Sequence, residues 1–222
     1  MTNSLSSTIP LKVDELGWQR FLQLWSDHVL DLVKQLDYEL SPMEQEAIAL
    51  GYLGYPGASA QEIAAAEERL GRTLPDSYKE FLRASNGWRQ IAMDADDCRM
   101  FAVGEIDLFR YTHPDAVDGW LRAIPTGYDS FRTPDDKYFI YGVEQDSLTL
   151  RDEYVATAYA ISELIDAAIY LLNPMVITPD GEWEAWYFGY KLPGAYRYRS
   201  FQEMMEAEYL RIINILQRSG QR

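Results

Sequence analysis

The side chains most ready to do chemistry are few: His28, His113 and Cys98 are the only histidines and the only cysteine in 222 residues. Two imidazoles and one thiol cannot build the usual zinc ligand sets without recruiting several carboxylates, so no metal site is assigned. Glu182 and Glu184 stand two apart in an alternating stretch, which puts both carboxylates on one side of a strand, as general acid and base chemistry would need. The same spacing also describes exposed like charges, with the neighbouring indoles forming a binding rim. Asp94, Asp96 and Asp97 lack the glycine and distal glutamate of an EF-hand loop and read as a solvated acidic loop. Cys98 has no activating base evident beside it and reads as a buried thiol rather than a nucleophile. The patterns G-x-S-x-G, H-E-x-x-H, Walker A and G-x-G-x-x-G do not occur. The expectation is a protein that is not an enzyme and carries no cofactor.

Charge is the more useful chemical signal. The chain has 20 Lys plus Arg against 35 Asp plus Glu, a net −15, which argues against direct contact with nucleic acid because phosphate binding needs clustered cations. The excess is concentrated in residues 101–180, with five basic against fourteen acidic residues, whereas residues 181–222 are net +1. There Asp129, Asp135, Asp136, Glu144, Asp146, Asp152 and Glu153 interleave with Tyr128, Phe131, Tyr138 and Tyr154. Such a stretch is either a solvated face that keeps the protein soluble or a partner surface, in which carboxylates steer the encounter and aromatics anchor it. The candidate partner-binding residues are Asp129, Phe131, Asp135, Asp136, Glu144, Asp146, Asp152, Glu153 and Trp186.

The elements that must position them can be read from periodicity. Trp18, Phe21, Leu22, Trp25, Val29, Leu32, Val33 and Leu36 fall on one helix face, and Ser41-Pro42 restarts the chain for a short helix toward Leu50. Ser59 and Glu62 have capping-box spacing before a helix closed by Gly71, and Pro75 opens another that ends at Asn86-Gly87. After Trp88 come shorter apolar runs, Met100 to Val103, Tyr138 to Val143 and Leu171 to Ile177, which predict strands. Pro179-Asp180-Gly181 predicts the turn of a β-hairpin. Ser200 and Glu203 cap a closing helix with Met205, Tyr209, Ile212, Ile213 and Leu216 on its apolar face. The fold class is α+β, with N-terminal helices and a C-terminal helix packed around a mostly antiparallel sheet. Residues 1–56 are expected to form a helical extension packed on a main domain of residues 57–222. The first ten residues lack a basic and apolar leader, and no window approaches 18 uninterrupted apolar residues, so a cytoplasmic protein without a membrane segment is expected.

The segment Gly57 to Trp88, GASAQEIAAAEERLGRTLPDSYKEFLRASNGW, resembles the signature of the SMI1/KNR4 family, also called the SUKH superfamily. Glu67, Leu70, Gly71, Leu74, Pro75, Tyr78, Phe81, Leu82, Asn86 and Gly87 stand at matching positions. A second match runs from Leu172-Asn173-Pro174 through Gly181-Glu182-Trp183-Glu184-Ala185-Trp186 to Ser200-Phe201. The resemblance implies a compact α+β domain without catalytic machinery, in bacteria most often an immunity protein that neutralises a polymorphic toxin, commonly a nuclease. The implied partner is a cognate toxin domain; the chain itself is expected to be a monomer or weak homodimer. A eukaryotic branch acts instead as a signalling adaptor, so a regulatory protein binding an endogenous partner is the alternative. Two features depart from the pattern: Trp88 stands where a second glycine is frequent, and the N-terminal helix lies outside the signature.

Overall fold

The computed structural model describes residues 10–92, 97–123, 133–189, 192 and 194–220. Asp94, Asp96, Tyr128, Asp129 and Phe131 lie outside the described residues. Helices α1 (Val13–Leu16), α2 (Trp18–Val33) and α3 (Pro42–Leu50) come first, followed by α4 (Ala60–Leu70) and α5 (Asp76–Ala84). Their boundaries follow local chemistry. Ser41 with Glu44, and Ser59 with Glu62, form complete capping boxes, and α3 and α4 each end on a glycine in the left-handed region, Gly51 and Gly71.

Strands β1 (Trp88–Gln90) and β2 (Cys98–Met100) form a small antiparallel ribbon. A five-stranded sheet, antiparallel throughout, has the order β3 (Asp107–Leu108), β4 (Tyr159–Ala160), β5 (Ala168–Ile177), β6 (Trp183–Gly189) and β7 (Gly194–Tyr198). The β5–β6 hairpin turns through Pro179 to Gly181, where Gly181 N donates to Thr178 O at 2.9 Å and Gly181 takes φ +85°. Helix α9 (Phe201–Ser219) closes the chain, with Glu203 N donating to the capping Ser200 hydroxyl at 3.1 Å.

One face of the sheet, carrying Tyr170, Leu172, Trp183 and Ala185, shares a hydrophobic core with α2, α5 and α9. Aromatic rings knit these helices together: Trp18 lies 5.5 Å from Phe81 and 5.7 Å from Phe201, and Trp25 lies 5.8 Å from Tyr209, centroid to centroid. Trp88, the departure from the family pattern, is buried 5.4 Å from Trp25 of α2. The opposite face carries Ile169, Leu171, Trp186, Phe188 and Ala195 and has its own core under residues 109–123 and 150–158. The described part of that cover includes α6 (Phe109–Thr112), α7 (Pro114–Ala123) and a 3-10 turn, Asp152–Thr157; beside them Tyr138 of α8 (Asp135–Tyr138) lies over Glu184 and Arg197, and an exposed 3-10 turn, Gly142–Glu144, follows. The expected strand over Tyr138 to Val143 is therefore corrected. Gly142 takes φ +74°, and the Arg197 side chain holds the carbonyls of Tyr138 and Ile140 that a strand would give to a neighbour.

The signature residues are folding elements. Glu67 accepts from Leu74 N at 2.8 Å across the α4–α5 junction, Asn86 accepts from Val103 N at 2.7 Å, and Tyr78, Phe81 and Leu82 are buried. Phe81→Ala is expected to cost about 3–5 kcal/mol, because its fully enclosed ring leaves a cavity that three neighbouring aromatics cannot all collapse into. Denaturant unfolding of the purified variant measures this, and a loss under about 1 kcal/mol would contradict it.

Candidate partner-binding surface

The predicted partner residues separate into two groups. Asp135, Asp136, Glu144 and Asp146 are exposed, whereas Asp152 and Trp186 are buried and Glu153 is half-buried. Trp186 was expected at a binding rim, and its complete burial corrects that. Both faces of β6 are covered, so alternation along the strand leaves no solvent face for the indole. Asp152 is likewise structural: its Oδ1 accepts from Trp120 Nε1 at 2.7 Å and joins α7 to the 3-10 turn at Asp152–Thr157. Among the four exposed carboxylates, Asp135 pairs with Arg151, and Asp146 Oδ1 accepts from Leu148 N at 2.9 Å. Asp136 and Glu144 have no partner among the described residues.

The stretch that carries these acids also exposes large apolar side chains: Phe139 (44% exposed), Ile140, Leu148 and above all Val143, which is 104% exposed. These residues were not singled out as partner contacts in the sequence. The signal was present as apolar residues set among Asp135, Asp136, Glu144 and Asp146, and Tyr138 to Val143, read as a strand, took Phe139, Ile140 and Val143 into a sheet.

Beneath the stretch lies a buried polar cluster on the covered face of the sheet. Glu184 and Arg197 both have fully buried side chains and stand 3.5 Å apart. Glu184 also accepts from Tyr138 Oη at 2.7 Å, Tyr141 Oη at 2.8 Å, Asn173 Nδ2 at 3.0 Å and Trp186 Nε1 at 2.7 Å. A carboxylate in a dry interior needs this many donors, since each unmet lone pair would add to the cost of removing it from water. Burial, and then the charge of Glu184, push the Tyr138 and Tyr141 hydroxyls well above the ordinary tyrosine range, so both remain donors.

The acid–base pairing considered for Glu182 and Glu184 is not formed. Glu182 precedes β6 and accepts from Ser77 N at 2.9 Å and Ser77 Oγ at 2.5 Å at the start of α5, where the helix dipole favours a carboxylate. Glu184 belongs to the buried cluster. His28 Nδ1 and Tyr209 Oη are bonded at 2.7 Å, and Cys98 is buried, which raises its thiol pKa and keeps it protonated. A groove of about 430 Å³ between the start of α2 and α5 is lined by Leu16, Trp18, Arg20, Glu80 and Arg83 among others, and, among the described residues, by none of the predicted partner residues. Among the described residues no group of His, Cys, Asp and Glu is placed to hold a metal ion. No helix among them is long and apolar enough to cross a membrane.

Residues 57–206 match the family model described as SMI1 / KNR4 family (SUKH-1). No curated protein matches the chain.

Proposed function

We propose, from the premise that the chain belongs to the SMI1 / KNR4 family (SUKH-1), that it is a non-enzymatic immunity protein acting in the cytoplasm on a cognate toxin domain. The observation that carries this reading is the stretch 135–148, where exposed Phe139, Ile140, Val143 and Leu148 stand among the exposed carboxylates Asp135, Asp136, Glu144 and Asp146. That composition matches a cationic protein surface with an apolar depression. Carboxylates steer and select the encounter, and apolar anchors, once desolvated, hold the complex. A toxin that acts on nucleic acid carries a basic cleft for its substrate phosphates, and an acidic surface of this kind occupies the same field and blocks access. Tight binding follows from the task, because any free fraction of a catalytic toxin keeps turning over.

The test is to purify the protein with its partner from the source cell, identify the partner, and titrate it kinetically at several salt concentrations. Charge reversal at Asp135, Asp136, Glu144 and Asp146 together is expected to slow association about 10- to 100-fold, within the range that electrostatic steering spans. Exposed carboxylates contribute little to stability, so the unfolding midpoint should move only by the small amount that loss of the Asp135–Arg151 pair causes. Wild-type association should fall as salt rises, since at about 0.15 M the field reaches only about 8 Å. An association rate indifferent both to salt and to the reversal would make this stretch a solvated face. Recovery of an endogenous partner without toxic activity would replace immunity by the adaptor role.

A further inference from the structure

The exposed stretch 135–148 contains one turn of α8 and one 3-10 turn, and pairs with no strand among the described residues. Side chains and single backbone contacts hold it instead. The Arg197 guanidinium donates to Tyr138 O and, at 3.4 Å, to Ile140 O. Glu184 takes the hydroxyls of Tyr138 and Tyr141. Gln145 bonds the backbone of Arg197 in both directions, accepting from its N at 2.7 Å and donating to its O at 3.3 Å. Ala195 N donates to Ser147 O at 3.0 Å, and Gly194 lies so close beneath that a Cβ there would stand 1.9 Å from the same oxygen. The anchor points are thus 138, 140, 141, 145 and 147. Val143, Glu144, Asp146 and Leu148, and the side chains of Phe139 and Ile140, project between or beside them.

We propose that the buried Glu184–Arg197 pair is the positioning element of this surface, setting where its apolar and acidic groups stand and so which partner it accepts. The inference rests on the reading that 135–148 meets the partner. The charges do something that bulk packing does not. Apolar side chains of similar volume commonly replace a buried ion pair without loss of stability, but they cannot orient the two carbonyls or collect two tyrosine hydroxyls on one carboxylate. The pair therefore contributes direction, holding an irregular segment in one conformation before the partner arrives. A surface ordered in advance does not pay its ordering entropy on binding, and one that visits its competent shape only part of the time binds more weakly by that fraction.

The experiment compares three variants by amide hydrogen exchange and by titration with the co-purified partner. Glu184→Gln and Arg197→Met together remove both charges at nearly constant volume. Tyr141→Phe removes one donor and no buried charge, and carries the test by itself if the double variant does not fold. Val143→Asp tests the surface reading separately. In the double variant, exchange should accelerate at the amides of residues 138–150 while the protection of α2 and α9 is unchanged. The partner dissociation constant should rise about ten-fold or more, as expected when the competent conformation falls to a tenth of the population. The salt dependence of association should remain that of wild type, because the exposed carboxylates are untouched. Tyr141→Phe should move exchange and affinity in the same direction and by less. Wild-type exchange and affinity in the double variant, or in Tyr141→Phe should the double variant fail to fold, would overturn the positioning role. If that occurs while Val143→Asp destroys binding, the positioning inference alone fails. If Val143→Asp binds like wild type, the surface reading fails and takes the inference with it.

Discussion

Removing residues 1–40 is expected to leave a chain that does not fold cooperatively, even though the family match begins only at residue 57. Trp18, Phe21, Leu22, Trp25, Val29, Leu30 and Val33 of α2 are each between 0% and 6% exposed. Burial of a large apolar side chain contributes about 1.5–3 kcal/mol, so the seven together are worth about 10–20 kcal/mol, as much as or more than the roughly 5–15 kcal/mol that separates a typical folded domain from its unfolded chain. The polar losses act in the same direction. Glu206 on α9 would lose Lys12 and the Val13 N–H, which donates at 3.0 Å, and Leu53 N would lose the Ser26 hydroxyl at 3.1 Å. Phe81, Trp88, Phe201 and Tyr209 would face water where α2 had been. Near-ultraviolet circular dichroism and denaturant unfolding of the 41–222 fragment decide the matter. A soluble fragment with a single sharp transition would show that the extension is dispensable.

Val143→Asp combined with Leu148→Asp is expected to abolish partner binding while leaving the free protein folded. Val143 is 104% exposed and Leu148 58%, so the folded chain gives up almost no packing and each change should stay within about 0.5 kcal/mol of wild-type stability. In a complex the same positions become desolvated, and a carboxylate there loses an apolar anchor and buries an unpaired charge. A loss of about 2 kcal/mol or more at each position corresponds to about a thousand-fold in affinity for the pair. Met175→Asp, at a 50% exposed position toward the end of β5, serves as the control and should bind normally. Affinity retained in the double variant would move the partner surface elsewhere on the molecule.

Helices α2, α3, α4, α5 and α9 were legible because their signals are local, whereas α1 and α6 to α8 were not read from the sequence. The capping boxes at Ser41 and Ser59, the glycine ends at Gly51 and Gly71, and the apolar stripe of α2 are set by contacts within a few residues along the chain. The β5–β6 hairpin was legible for the same reason, since Thr178 and Gly181 close its turn between themselves. The acidic character of the candidate surface could likewise be counted from the sequence.

Which of those acids and aromatics reach solvent was decided by the tertiary structure. Alternation in Glu182 to Tyr187 suits a strand with one wet face, yet residues 109–123, Tyr138 and residues 150–158 cover that face, burying Trp186 and turning Glu184 into an internal acceptor. Phe139, Ile140 and Val143 looked like strand residues until Arg197, more than fifty positions away, claimed the carbonyls of Tyr138 and Ile140. Trp88 looked like an irregularity in a helix-end motif, whereas it fills the space beside Trp25 of the very helix that lies outside the family signature. Capping and periodicity depend on groups three or four residues apart, and a linear sequence displays those directly. Burial, and the pairing of a carboxylate with a guanidinium, depend on which distant segments share one small volume, and only the folded chain specifies that.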